Sequence, residues 1–103
     1  MTDEQKAKCH EIAEHYGEKH QMLKAVEEMA ELTQQIAKRI SMQYSVNAYA
    51  EELADAAIML EQLEYLFAKA AYRSTMLDKY IDIKLNRQLE RMERENYAEN
   101  RHD

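Results

Sequence analysis

Glu52-Leu53-Ala54-Asp55-Ala56-Ala57-Ile58-Met59-Leu60-Glu61-Gln62-Leu63, residues 52–63, contains neither glycine nor proline. Leu53, Ala54, Ala56, Ala57, Ile58, Met59, Leu60, Leu63 and Leu66 spread around most of a helix's circumference. A helix apolar nearly all round is covered on several sides. In so short a chain the extra cover is expected from a second subunit. The helix is expected over about Ala48–Tyr72, and the rest of the chain is read outward from it.

Just upstream, Tyr44-Ser45-Val46-Asn47 reads as a turn, with Ser45 or Asn47 as the N-cap of this third helix. Before it, Met22, Val26, Met29, Thr33, Ile36 and Ile40 recur at helical spacing and predict a second helix over about Glu18–Gln43. Gly17 is the single glycine of the chain and marks a break. Thr2-Asp3-Glu4-Gln5 has the spacing of a capping box and opens a first helix to about His15. Downstream, Thr75-Met76-Leu77-Asp78 offers another such box for a fourth helix through about Tyr97, with Leu77, Ile81, Leu85, Gln88 and Met92 as its core stripe. Ala98 to Asp103 reads as a polar end that frays. The expected fold is all-α: one domain over 1–103, a four-helix bundle completed by oligomerisation.

Composition narrows the function. With 103 residues, one glycine and no proline, the turn chemistry of an all-β protein is missing, and no Gly-rich phosphate loop can be written. Twenty acidic residues against 14 basic give a net charge of −6, the wrong sign for a nucleic-acid polymer as partner. No apolar run is long enough for a membrane, and the acidic, polar N-terminus lacks the pattern of a signal peptide. The lone Cys9 points to a reducing setting, so a cytoplasmic location is expected.

The motif that carries chemistry occurs twice. Val26-Glu27-Glu28-Met29-Ala30-Glu31 returns 24 residues later as Ala50-Glu51-Glu52-Leu53-Ala54-Asp55. Glu28 and Glu31 are one helical turn apart, as are Glu52 and Asp55, and each pair flanks its helix's apolar stripe. Antiparallel packing of helices two and three would bring the four carboxylates together. Like charges ~4 Å apart repel by roughly 4 kcal/mol at an effective dielectric near 20. Such a cluster needs protons or cations to offset it. All-oxygen ligands select hard ions, and a few carboxylates with substrate phosphate describe Mg²⁺. The ordinary alternative is that each acid faces water beside a lysine or arginine, the reading that weighs most for Glu27 and Glu51.

A di-iron bundle would need Glu-x-x-His on two helices. Only Glu99 and His102, at the polar end, have that spacing. His10, His15 and His20, five residues apart, spread around a helix rather than forming a zinc face.

Glu27-Glu28-x-x-Glu31, twenty intervening residues, then Glu52-x-x-Asp55 resembles the signature of the MazG-like all-α nucleoside triphosphate pyrophosphohydrolases. Gln21-Met22-Leu23-Lys24-Ala25-Val26 leading in and Ala56-Ala57-Ile58-Met59-Leu60 leading out resemble the family's surroundings too. The likeness covers about residues 15–67, and the fourth helix loosely. It implies Mg²⁺-dependent hydrolysis of a nucleoside triphosphate, expected to be a deoxynucleotide, to the monophosphate and pyrophosphate. It implies that Glu28, Glu31, Glu52 and Asp55 hold the metal, and that the chain works as a homodimer or homotetramer.

For that chemistry Glu27 or Glu28 is the candidate for orienting the attacking water. Lys84, Arg87, Arg91 and Arg94 along one flank of the fourth helix, and Lys24 one turn before Glu28, are candidates for phosphate contact. The alternative for the fourth-helix cations is surface pairing with Glu90, Glu93 and Glu95. Tyr16, Tyr44, Tyr49, Tyr65, Tyr72 and Tyr80 could each stack on a base, but no spacing selects one. Two other functions stand beside this one. One is a phosphoribosyl-ATP pyrophosphohydrolase, whose glycine-containing run-up is not found here. The other is a non-catalytic helical oligomerisation module.

Overall fold

A computed structural model describes residues 1–43 and 45–102, with the side chains of 101 and 102 left aside. Tyr44 of the expected turn and Asp103 of the polar end therefore lie outside the described residues, as does the side chain of His102. The described residues are all-helical, in four helices without a strand: α1 (Asp3–Tyr16), α2 (Glu18–Ile40), α3 (Val46–Ala68) and α4 (Arg73–His102). The chain divides into two compact units, Met1–Lys69 and Ala70–Asp103.

In the first unit, α1 opens on the expected capping box. Thr2 Oγ1 accepts from the Gln5 amide at 3.1 Å, and Gln5 Oε1 accepts from the Thr2 amide at 2.8 Å. Gly17 ends α1 at φ 83°. A Cβ there would touch nothing within 4 Å, so the backbone angle and not space demands glycine. α3 opens on Ser45, whose Oγ accepts from the Ala48 amide at 3.3 Å.

Both later helix ends differ from expectation. α2 stops at Ile40, three residues short of Gln43, because Met42 turns left-handed at φ 64°. The Gln43 amide then donates to the Lys38 carbonyl at 2.9 Å and the Met42 amide to the Arg39 carbonyl at 3.1 Å. This is a Schellman cap with methionine where glycine is usual. α3 stops at Ala68 rather than Tyr72, and Tyr72 is also left-handed, at φ 55°. α4 starts at Arg73, ahead of the Thr75 box, which falls inside the helix.

Gln21 meets Gln62, Glu28 meets Asp55, and Glu31 meets Glu52. Each step forward on α2 is matched by an equal step backward on α3, so these helices run antiparallel. His10 meets Glu61 at 3.0 Å and Glu14 meets the Tyr65 hydroxyl at 2.7 Å, equal steps in the same direction, so α1 runs parallel to α3. Cys9, Ala13, Ala25, Ala56 and Met59 form the buried apolar core, joined by Gln21, Glu28 and Gln62. Alanines at the contact let the helices approach closely, which brings the polar groups flanking it within reach of one another.

The buried line of α2 is therefore Gln21, Ala25 and Glu28, continued by half-buried Leu32 and Gln35. The expected stripe lies one residue round the helix and is largely open, with Val26 69% exposed and Met22, Ile36 and Ile40 exposed as well. Leu53 and Leu60 on α3 are also exposed.

The second unit is built on α4, a helix of 30 residues and so ~45 Å long. Of its expected stripe, Leu77 is half-buried, while Ile81, Leu85, Gln88 and Met92 are exposed.

Candidate metal centre

The antiparallel register sets the two acidic boxes face to face. One carboxylate oxygen from each of Glu28, Glu31, Glu52 and Asp55 lies within 4.8 Å of the other three. Glu28 is 8% exposed and Glu52 half-buried. Glu28 Oε2 and Glu52 Oε2 are buried without a hydrogen-bond partner among the described residues. Among those residues this is the one group of three or more potential metal ligands held so close.

Electrostatics follow from the crowding. Burial, then the charges of Glu31 and Asp55, a hydrogen bond with Glu31 and the charge of Glu28 push the Glu52 carboxyl above its usual 4.5. Burial, then the charge of Glu28, a hydrogen bond with Glu28 and the charge of Glu51 push Asp55 above its usual 3.8, with Lys24 pulling the other way. Two carboxyl groups can hydrogen-bond only if one carries a proton. Without a cation, the crowding favours the protonated forms of Glu52 and Asp55 more than an exposed site would.

The donor set suits a hard divalent ion. Opposite oxygens across an ion are ~4.2 Å apart for Mg²⁺ and ~4.8 Å for Ca²⁺, from bond lengths of about 2.1 and 2.4 Å. The observed span of 4.8 Å sits at the upper end of that range. Two buried oxygens without partners are acceptors that such an ion would satisfy.

Lys24 Nζ reaches Glu28 at 3.3 Å and Glu27 at 3.5 Å. The Glu28 and Glu27 carboxylates hold its ammonium above the ordinary lysine value. Glu27 lies outside the four-acid group, mostly exposed beside Lys24. A cleft of about 670 Å³ opens next to the acids, lined on one side by Lys24, Glu27, Glu28 and Asp55. Its other lining includes Ile12, Tyr16, His20, Gln21, Ile58 and Gln62. The Tyr16 and His20 rings stack at 4.5 Å, 14° from parallel.

Lys84, Arg87 and Arg91 are exposed on one face of α4, and Arg94 is exposed on the same helix. They belong to the second unit, while the acids belong to the first. His10 pairs with Glu61 and His20 with Gln21, and neither enters the acidic group.

Sequence reasoning passed over Gln21 and Gln62. The signal was there: each sits seven residues from a metal-candidate acid, Glu28 or Asp55, on that acid's own buried line. A glutamine at such a position must find a polar partner. No family model, no curated protein and no solved structure matches the chain.

Proposed function

We propose that the chain is a MazG-like, Mg²⁺-dependent nucleotide pyrophosphohydrolase that cleaves a nucleoside triphosphate, preferentially a deoxynucleotide, to the monophosphate and pyrophosphate. The observation that carries the reading is the convergence of Glu28, Glu31, Glu52 and Asp55, with two buried oxygens unpartnered, at the edge of a nucleotide-sized cleft. These four residues would hold Mg²⁺. The bound ion supplies the positive charge that neutralises phosphate oxygens and polarises phosphorus.

The chain's own residues do the rest. Glu27 or Glu28 accepts a proton from the attacking water and aims it in line with the α-phosphorus. Lys24, already held cationic by Glu28, meets charge that develops on the phosphate. Lys84, Arg87 and Arg91 of α4 are the further cationic candidates for phosphate contact. The exposed apolar side chains of α2 and α3 support a homodimer or homotetramer.

The test is pyrophosphate release from a panel of ribo- and deoxynucleoside triphosphates, with phosphoribosyl-ATP included. Turnover should require Mg²⁺, and Glu52→Ala and Asp55→Ala should each lower kcat by about 100-fold or more, the scale of losing a group that stabilises transition-state charge. The open apolar faces also favour a second reading, a helical oligomerisation module. Normal self-association with no turnover, and no effect of Mg²⁺ on melting, would establish that reading instead.

A further inference from the structure

Gln21 and Gln62 are 4% and 1% exposed, yet both line the cleft. Their amides form part of a chain with one direction. His20 Nδ1 lies 2.7 Å from Gln21 Oε1, and Gln21 Nε2 donates to Gln62 Oε1 at 2.6 Å. Because an amide oxygen only accepts, the His20 contact requires the proton on Nδ1. Each amide oxygen in the chain then accepts one hydrogen bond. The Gln62 amide nitrogen is left as the donor at the chain's end, on a residue that lines the cleft.

We propose that Gln62 is a specificity-determining residue, donating from the inner wall of the cleft to an exocyclic carbonyl of the substrate's base. The proposal rests on the nucleotide reading above and deepens it. The cleft offers a base what it needs. The stacked Tyr16 and His20 rings give a flat aromatic wall, and Ile12, Ile58 and Met59 give an apolar one. The acids that would take the phosphate end border the same cleft through Glu28 and Asp55. A keto base satisfies the buried N–H, whereas an amino base sets donor against donor and leaves both unpaired. Turning Gln62 over to present its oxygen takes a matching flip of Gln21 and a move of the His20 ring proton from Nδ1 to Nε2.

The competing account is that the two glutamines only tie α2 to α3. Calorimetric binding of dUMP against dCMP, and of dIMP against dAMP, separates the two, because each pair swaps a carbonyl for an amine on one ring. The keto member should bind about 10- to 100-fold tighter in at least one pair, the worth of one buried hydrogen-bonding group. Gln62→Met, similar in length and without the donor, should bring the two affinities together. Equal affinities in the wild-type protein, or binding of none of the four, would overturn the proposal without recourse to any variant. A preference that survives Gln62→Met in a variant that melts cooperatively would overturn it too. Monophosphates contain no bond to be hydrolysed, so this outcome is independent of turnover. Pyrophosphate release without a keto preference sinks this inference and leaves the activity standing; a keto preference without turnover does the reverse.

Discussion

Glu52 and Asp55 keep their protons above the ordinary carboxylate range because each is buried against other acids. The folded chain therefore binds protons that the unfolded chain has already released. The stability this gives is full below the ordinary values of 4.5 and 3.8 and is lost as pH rises through the elevated ones. Glu14 acts in the opposite sense. Hydrogen bonds from Lys69 and Tyr65 hold it below its usual 4.5, so its contribution is lost as pH falls. A variant comparison isolates the acidic cluster. Between acid and neutral pH, metal-free Glu52→Gln should lose less stability than the wild type, as read by thermal melts across pH. At neutral pH, Mg²⁺ should raise the wild-type Tm by linkage and raise that of Glu52→Gln much less. Loading the ion should also release protons, visible as acidification of a lightly buffered solution. An unchanged pH and an unchanged Tm on adding Mg²⁺ would remove the metal from the account.

At the scale of elements, α1, Gly17, α2 and the start of α3 were legible because each boundary has a residue whose chemistry makes it: Thr2, Gly17 and Ser45. The end of α2 was not, because the left-handed position is taken by Met42, which nothing in its side chain marks for that role. A non-glycine residue there costs about 1 kcal/mol. Met42 is 75% exposed, its sulfur receiving only a long 3.7 Å contact from Arg39. Met42→Gly should therefore stabilise the protein by about 1 kcal/mol, raising Tm by a few degrees in a calorimetric scan. The buried face of α2 was misread for a related reason. Apolar periodicity selects Met22, Val26, Ile36 and Ile40, whereas the contact with α3 runs along Gln21, Ala25 and Glu28. Polar residues hold core positions there because they meet one another across the contact. The acidic site stayed readable because its motif is written twice.

Considered as a whole molecule, the chain carries more apolar side chains outside than its core uses inside. Leu60 is 51% exposed, and Leu53, Ile36 and Ile40 are exposed with it. No described helix is long and apolar enough to cross a membrane. We expect these faces to meet in a second copy of the chain. Sedimentation equilibrium at micromolar concentration should give a dimer or tetramer. Leu60→Glu should shift it toward the monomer, because it places a charge in an apolar contact. A wild-type monomer at every concentration would refute this.

The pairing of α2 with α3 has one more consequence. Glu28 faces Asp55 while Glu31 faces Glu52, so exchanging the two boxes maps each contact onto the other. The site is a local dyad, its two halves supplied by one polypeptide. Such an arrangement is held by the meeting of the rods rather than by the bridge between them. A few glycines and serines inserted after Gln43, beyond the cap of α2, should leave its geometry and its ion affinity intact.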